Sequence, residues 1–163
     1  MFVESGRSIE KESAPARENR QSSGAWAGEP RDTRGCRILI VDDNEDVAES
    51  FAILLGLEGY DCVSATDGES AIRMFHERRP QVVLLDIGLP GRSGHEIARY
   101  IRALNDAEVL LIAVSGWARE ADKERSYAAG FDHHLSKPVD YDRLVQLVRC
   151  GRSGAEPSAR LQA

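Results

Sequence analysis

Five side chains in this sequence have the types and spacing to do chemistry together: Asp42, Asp43, Asp86, Ser115 and Lys137. Each follows on a candidate strand. Cys36-Arg37-Ile38-Leu39-Ile40-Val41 stops at Asp42-Asp43-Asn44, Val82-Val83-Leu84-Leu85 at Asp86, Val109 to Val114 at Ser115-Gly116, and Phe131 to Ser136 at Lys137-Pro138. Short apolar runs that break into Gly, Pro and acidic residues read as buried strands, each delivering a polar residue to a surface. Three carboxylates gathered there repel one another. At about 5 Å and an effective dielectric near 20, each pair costs roughly 3 kcal/mol, so the cluster calls for a cation. Oxygen-only ligands with room for water suit Mg²⁺ better than zinc or copper. Asp43 and Asp86 are the expected direct ligands, with Asp42 acting mostly through water. Lys137 adds a fixed positive charge and Ser115 a hydroxyl donor. Such a set can hold an array of phosphoryl oxygens, the main demand of phosphoryl transfer.

The elements between these residues must bring them to one place. After the first run, Val47, Phe51, Leu54 and Leu55 recur at helical spacing until Gly59. Cys62 to Ala65 is a short second strand, and Asp67 caps a helix carrying Ala71, Ile72 and Phe75. Beyond the Asp86 loop, Ser93-Gly94-His95-Glu96 has the form of a capping box, with Ile97, Ile101 and Leu104 as the stripe behind it. A fourth helix, about Arg119 to Ala129, offers mostly Ala121, Ala128 and Ala129 to the core, a thin packing face that places it among the less stable elements. Tyr141, Leu144, Val145 and Val148 stripe the last helix. Five strands alternating with five helices, the central strands apolar on both faces, define an α/β fold with a doubly wound parallel sheet. Right-handed crossovers place every strand's carboxyl end on one edge, where such sheets bind ligands. Taken singly, the residues have plainer uses: Asp42-Asp43 as a helix cap, Asp86 as a turn residue, Ser115 and Lys137 as surface groups. Their shared placement at that edge favours the functional reading.

Length and composition bound the rest. A chain of 163 residues can bury one ordinary core. Its net charge of -6 is concentrated between Cys36 and Cys150, where 20 acidic residues face 13 basic ones, so no nucleic-acid surface is expected. Three cysteines without a CxxC pair suggest neither a disulfide framework nor a zinc site. No apolar run approaches a membrane span and Met1-Phe2-Val3-Glu4 lacks a signal layout, so a soluble, cytoplasmic protein without a membrane partner is expected. Residues 1–35, rich in Ser, Gly and Pro without apolar period, are expected to be disordered, with Trp26 the one candidate docking point.

Val41-Asp42-Asp43-Asn44, Leu85-Asp86-Ile87-Gly88-Leu89-Pro90-Gly91, Val114-Ser115-Gly116 and Lys137-Pro138 together resemble the receiver domain of bacterial two-component response regulators. They are similar, in that order, to its acidic pair, its phosphoacceptor loop, its switch hydroxyl with a small neighbour, and its lysine with a cis proline bond. The resemblance covers about Arg37 to Arg149 and divides the chain into a tail (1–35), a receiver domain (36–150) and a second tail (151–163). It implies a (βα)5 flavodoxin-like fold with strand order 2-1-3-4-5. It further implies that Asp86 takes a phosphoryl group from a histidine kinase or histidine phosphotransfer protein, with Mg²⁺ on Asp42, Asp43, Asp86 and the Gly88 carbonyl. Ser115 would then be drawn toward the phosphate, and the surface of the fourth helix and fifth strand would rearrange. A stand-alone receiver of this kind is a phosphoacceptor assisting its own phosphorylation and dephosphorylation, not a turnover enzyme. It signals to a downstream protein by contact, or relays phosphate or acts as a phosphate sink for a hybrid kinase system, with a weak homodimer as one open form of self-association.

Three positions depart from the commonest pattern. The switch position three residues before Lys137 holds His134 in place of Tyr or Phe, giving either a pH-sensitive output or a plain exposed histidine. Trp117, two residues after Ser115, stands where it could shield the phosphoryl group or meet a partner, while Gly88 leaves the opposite side open. Haloacid-dehalogenase-like phosphatases place a second Asp two residues after the nucleophile as general acid; Gly88 occupies that place here, which disfavours turnover. The run from Gly130 to Asp140 is similar to receivers carried on hybrid histidine kinases.

Overall fold

Successive side chains of a strand point to opposite faces, so a strand apolar throughout needs cover on both sides. In a computed structural model, which describes residues 35–104, 108–116 and 119–151, five strands form one sheet, and its three central strands are of this kind. The elements in chain order are β1 (Arg37–Val41), α1 (Glu45–Leu57), β2 (Asp61–Ala65), α2 (Gly68–Arg78), β3 (Val82–Asp86), α3 (Gly94–Ala103), β4 (Leu110–Ser115), α4 (Glu120–Ala129), β5 (His133–Ser136) and α5 (Tyr141–Gly151). Every pairing is parallel and the order is β2-β1-β3-β4-β5, the doubly wound arrangement expected. Trp26, Trp117 and all but the inner ends of the two expected tails lie outside the described residues. No helix among the described residues is long and apolar enough to cross a membrane.

Alternation divides the core in two. On one face Leu39, Val41, Val83, Leu85, Leu111 and Ala113 pack with Ala71 and Phe75 of α2, Ile97 and Ile101 of α3, and Ala129 of α4. On the other, Ile38, Ile40, Val82, Leu84, Ile112 and Val114 meet Ala48 and Leu55 of α1 and Leu144, Val145 and Val148 of α5. β3 is buried along its whole length, so Asp86 is delivered from the most enclosed strand of the sheet.

Several details differ from the sequence reading. Leu54 is 43% exposed, beside exposed Ile53 and Leu57, because Ala48 and Leu55 set the inward stripe of α1 and Leu54 lies about 100° around the helix from Leu55. In α4 the buried residues are Ser126 and Ala129, while Ala121 and Ala128 are exposed. The Ser126 hydroxyl can be buried because it donates to the Asp122 carbonyl at 2.9 Å. β4 begins at Leu110 and takes in Ser115. β5 begins only at His133, since Phe131 packs into the core and Asp132 engages β4, its N–H donating to Leu111 O at 2.9 Å and its Oδ2 accepting from Leu111 N–H at 2.8 Å.

The first turn of α3 positions the Asp86 loop. Ser93 and Glu96 form the expected capping box, and the Gly94 N–H donates to Ile87 O at 3.2 Å. Gly94 is pressed against the backbone after β3: a Cβ there would overlap the Asp86 carbonyl oxygen and lie 2.8 Å from Ile87 Cα. Both obstacles are backbone, so neither can swing aside. We expect Gly94→Ala to destabilise the full chain by about 1–3 kcal/mol in urea unfolding. An unchanged midpoint would show that α3 can lift off the loop without cost.

Candidate functional site

The carboxyl edge of the sheet gathers the acidic residues as the strand order requires. One carboxylate oxygen from each of Asp42, Asp43 and Asp86 lies within 4.8 Å of the others. Asp42 and Asp86 are buried, at 4% and 6% exposure, and Asp43 is exposed. The cap of α1 falls to Asn44, whose side chain accepts from the N–H groups of Asp46 and Val47 at 3.1 and 3.4 Å. That releases both aspartates from the capping use a lone acidic loop would suggest. Asn44 is a supporting residue the sequence reading did not single out, although an Asn one residue before Glu-Asp is a recognisable cap.

Lys137 reaches this cluster from the end of β5. Its Nζ donates to Asp86 Oδ2 at 2.6 Å and to Asp42 Oδ2 at 2.8 Å. The remaining oxygens are held by backbone: Asp86 Oδ1 accepts from Gly88 N–H at 2.7 Å, and Asp42 Oδ1 from Asn44 N–H at 3.0 Å. Burial alone would lower the Lys137 pKa, but its bonds to Asp42 and Asp86 outweigh that and hold it above the ordinary lysine range. The raised value means that the lysine's contribution is fully present at neutral pH and is lost on the alkaline side as the pH rises past the ordinary lysine value of 10.5. Ser115 ends β4, 4% exposed, one register step beyond the residue paired with Asp86, and its carbonyl accepts the Lys137 N–H at 2.7 Å. The Lys137-Pro138 bond is cis, as the resemblance implied.

His134 is neither an exposed histidine nor part of this edge. It pairs with Ala113 of β4 and faces the α4 side, half-buried, with Nδ1 3.0 Å from Ser126 Oγ. Ser126 also meets His95 Nε2 at 3.3 Å. Cys36 and Cys62 stay out of the chemistry: Cys36 is buried, and burial first, then the neighbouring Asp61, pushes the Cys62 thiol up to about 11, leaving it protonated at neutral pH.

Three carboxylates and one ammonium leave the edge with a formal charge of -2. An oxygen-only donor set of that charge fits one hard divalent cation. A doubly wound sheet with acidic residues at the ends of the neighbouring strands β1 and β3 and a lysine counter-ion after β5 defines a class of α/β modules with a charged ligand-binding edge. Within it, this chain belongs to the response regulator receiver domain family, which matches residues 38–149. Solved structures agree. The chain is similar to a CheY-like receiver domain protein from Methanospirillum hungatei, at 29% identity and a TM-score of 0.65 over 69% of this chain and 90% of that one. It is similar to a response regulator from Chloroflexus aurantiacus at 27% identity and a TM-score of 0.66, over 71% of this chain and 95% of that one. The BeF3-activated receiver domain of Klebsiella pneumoniae RstA shares the fold, with a TM-score of 0.67 and 24% identity over 72% of this chain and 98% of that one.

The charge arrangement sets opposite expectations for two substitutions. Asp43→Asn removes repulsion without breaking either Lys137 bond and should raise the metal-free melting temperature by ~4 °C. Lys137→Met leaves two buried carboxylates without their cation and should lower stability by about 2 kcal/mol, below the cost of breaking a fully buried pair because the lysine is one-third exposed. Calorimetry in chelator checks both, and shifts of the same sign would refute the arrangement.

Proposed function

We propose that this chain is a phosphorylation switch in which Asp86 accepts a phosphoryl group from a histidine kinase or histidine phosphotransfer protein. The observation that carries this reading is Asp86 itself: a buried strand-end carboxylate with two further carboxylates within 4.8 Å and an ammonium at 2.6 Å. An Asp86 carboxylate oxygen attacks phosphorus, the bond from phosphorus to the donor breaks, and the donor leaves with that electron pair. Lys137 stays beside the new acyl phosphate as a fixed positive charge, and the Gly88 N–H fixes the rotamer of Asp86. Asp42, Asp43, Asp86 and the Gly88 carbonyl would hold Mg²⁺, which when bound neutralises charge on the phosphoryl oxygens. Ser115, on the strand next to Asp86, supplies the hydroxyl that senses the phosphate.

The absence of a carboxyl group at Gly88 favours a held signal over turnover, since no general acid stands two residues beyond the acceptor. The output is contact with another protein through the α4–β5 surface, whose helix buries only Ser126 and Ala129 and starts without a side-chain cap bond at Arg119. Incubation of the full chain with a small acyl-phosphate donor should give Mg²⁺-dependent, acid-stable mass addition of one phosphoryl group. Asp86→Asn should abolish it and chelator should suppress it. A wild-type chain that stays unlabelled with donor and Mg²⁺ present would refute the reading.

A further inference from the structure

We propose that Ser126 is a positioning residue: its hydroxyl ties His95 of α3 and His134 of β5 to α4 and holds His134 as the Nδ1–H tautomer. Ser126 is 0% exposed, and three polar atoms surround its single hydroxyl: the Asp122 carbonyl at 2.9 Å, His134 Nδ1 at 3.0 Å and His95 Nε2 at 3.3 Å. A serine hydroxyl has one proton to give and two lone pairs to accept with. The other nitrogen of His134 fixes the bookkeeping. Among the described residues, His134 Nε2 has no hydrogen-bond partner, and it is buried. Were Nδ1 the acceptor, or the ring cationic, Nε2 would carry a buried unpaired N–H, which is costly and rare. A bare lone pair there costs less, so the proton belongs on Nδ1, and His134 donates to Ser126.

With one lone pair of Ser126 used by His134, the hydroxyl proton goes to the fixed backbone acceptor at 2.9 Å, and the longer contact is the N–H of His95 donating into the second lone pair. All three valences are then satisfied. The surroundings fit a neutral His95: burial first, then the charges of Arg99 and Arg125, lower its pKa, against the opposing charge of Asp122. Phe131, edge-on to His95 with ring centroids 6.1 Å apart, fixes the plane of that ring.

The consequence is a polar latch across three elements. α4 buries just Ser126 and Ala129, so two imidazole bonds to one of them are a large share of what fixes it. Describing this as a latch on a signalling surface rests on the proposed function; the hydrogen-bond assignment does not, and its test needs no phosphorylation. In the full chain labelled with ¹⁵N, the imidazole shifts of His134 should report a protonated Nδ1 and a bare Nε2. Ser126→Ala should release His134 to the Nε2–H form and speed amide hydrogen exchange in α4 by about tenfold, the value of roughly two lost hydrogen bonds. His134→Asn, which keeps a donor near the Nδ1 position, should preserve slow exchange in α4, whereas His134→Gln should not. An Nε2–H wild-type tautomer, or unchanged exchange in Ser126→Ala, would overturn the proposal. So would equal exchange in the Asn and Gln variants.

Discussion

The site depends on one ammonium shared by two buried carboxylates. Lys137 lies 95 positions from Asp42 and 51 from Asp86, and its Nζ stands 2.8 and 2.6 Å from them. Only a sheet in which β1, β3 and β5 share direction and edge can bring these three together. Such an arrangement is seldom a net source of stability, because desolvating the charges offsets much of their attraction. What it supplies is a carboxylate held in one orientation while enclosed, its second oxygen fixed by the Gly88 N–H. In the proposed function, a carboxylate so held needs little reorganisation when a phosphoryl donor arrives.

Around this rigid centre the fold grades from firm to loose. β3 is buried along all five residues and the first turn of α3 rests directly on its outgoing backbone. Across the same face, α4 has a short, mostly polar contact built on a serine and an alanine. A helix held chiefly by hydrogen bonds to imidazoles can exchange them for others at modest cost, whereas one held by interdigitated aliphatic side chains cannot.

The strand ends and their chemistry are legible in the sequence because both signals are local: an apolar run sets a strand, and the residue that breaks it sets what the edge presents. The doubly wound order and the convergence of Asp42, Asp86, Ser115 and Lys137 follow from that pattern with the handedness of the crossovers. What the sequence does not show depends on distant partners. Ser126 gives no signal in the sequence because its burial requires a back-bond within its own helix and histidines from two other elements. Leu54 reads as core because helical period fixes spacing but leaves a neighbouring pair such as Leu54 and Leu55 to be separated by the direction of the sheet. Gly94 hides inside a capping box, its contact with the Asp86 backbone being invisible until the two segments meet.

β5 is the shortest strand and lies at the rim of the sheet, bonded to β4 alone. Edge strands open first when a sheet breathes. Lys137 follows this strand directly and His134 lies within it, so both ride on the part of the sheet least able to resist fraying. Each transient opening of β5 therefore lifts a positive charge away from Asp42 and Asp86. The geometry thus ties the position of the rim strand to the electrostatic potential at Asp86.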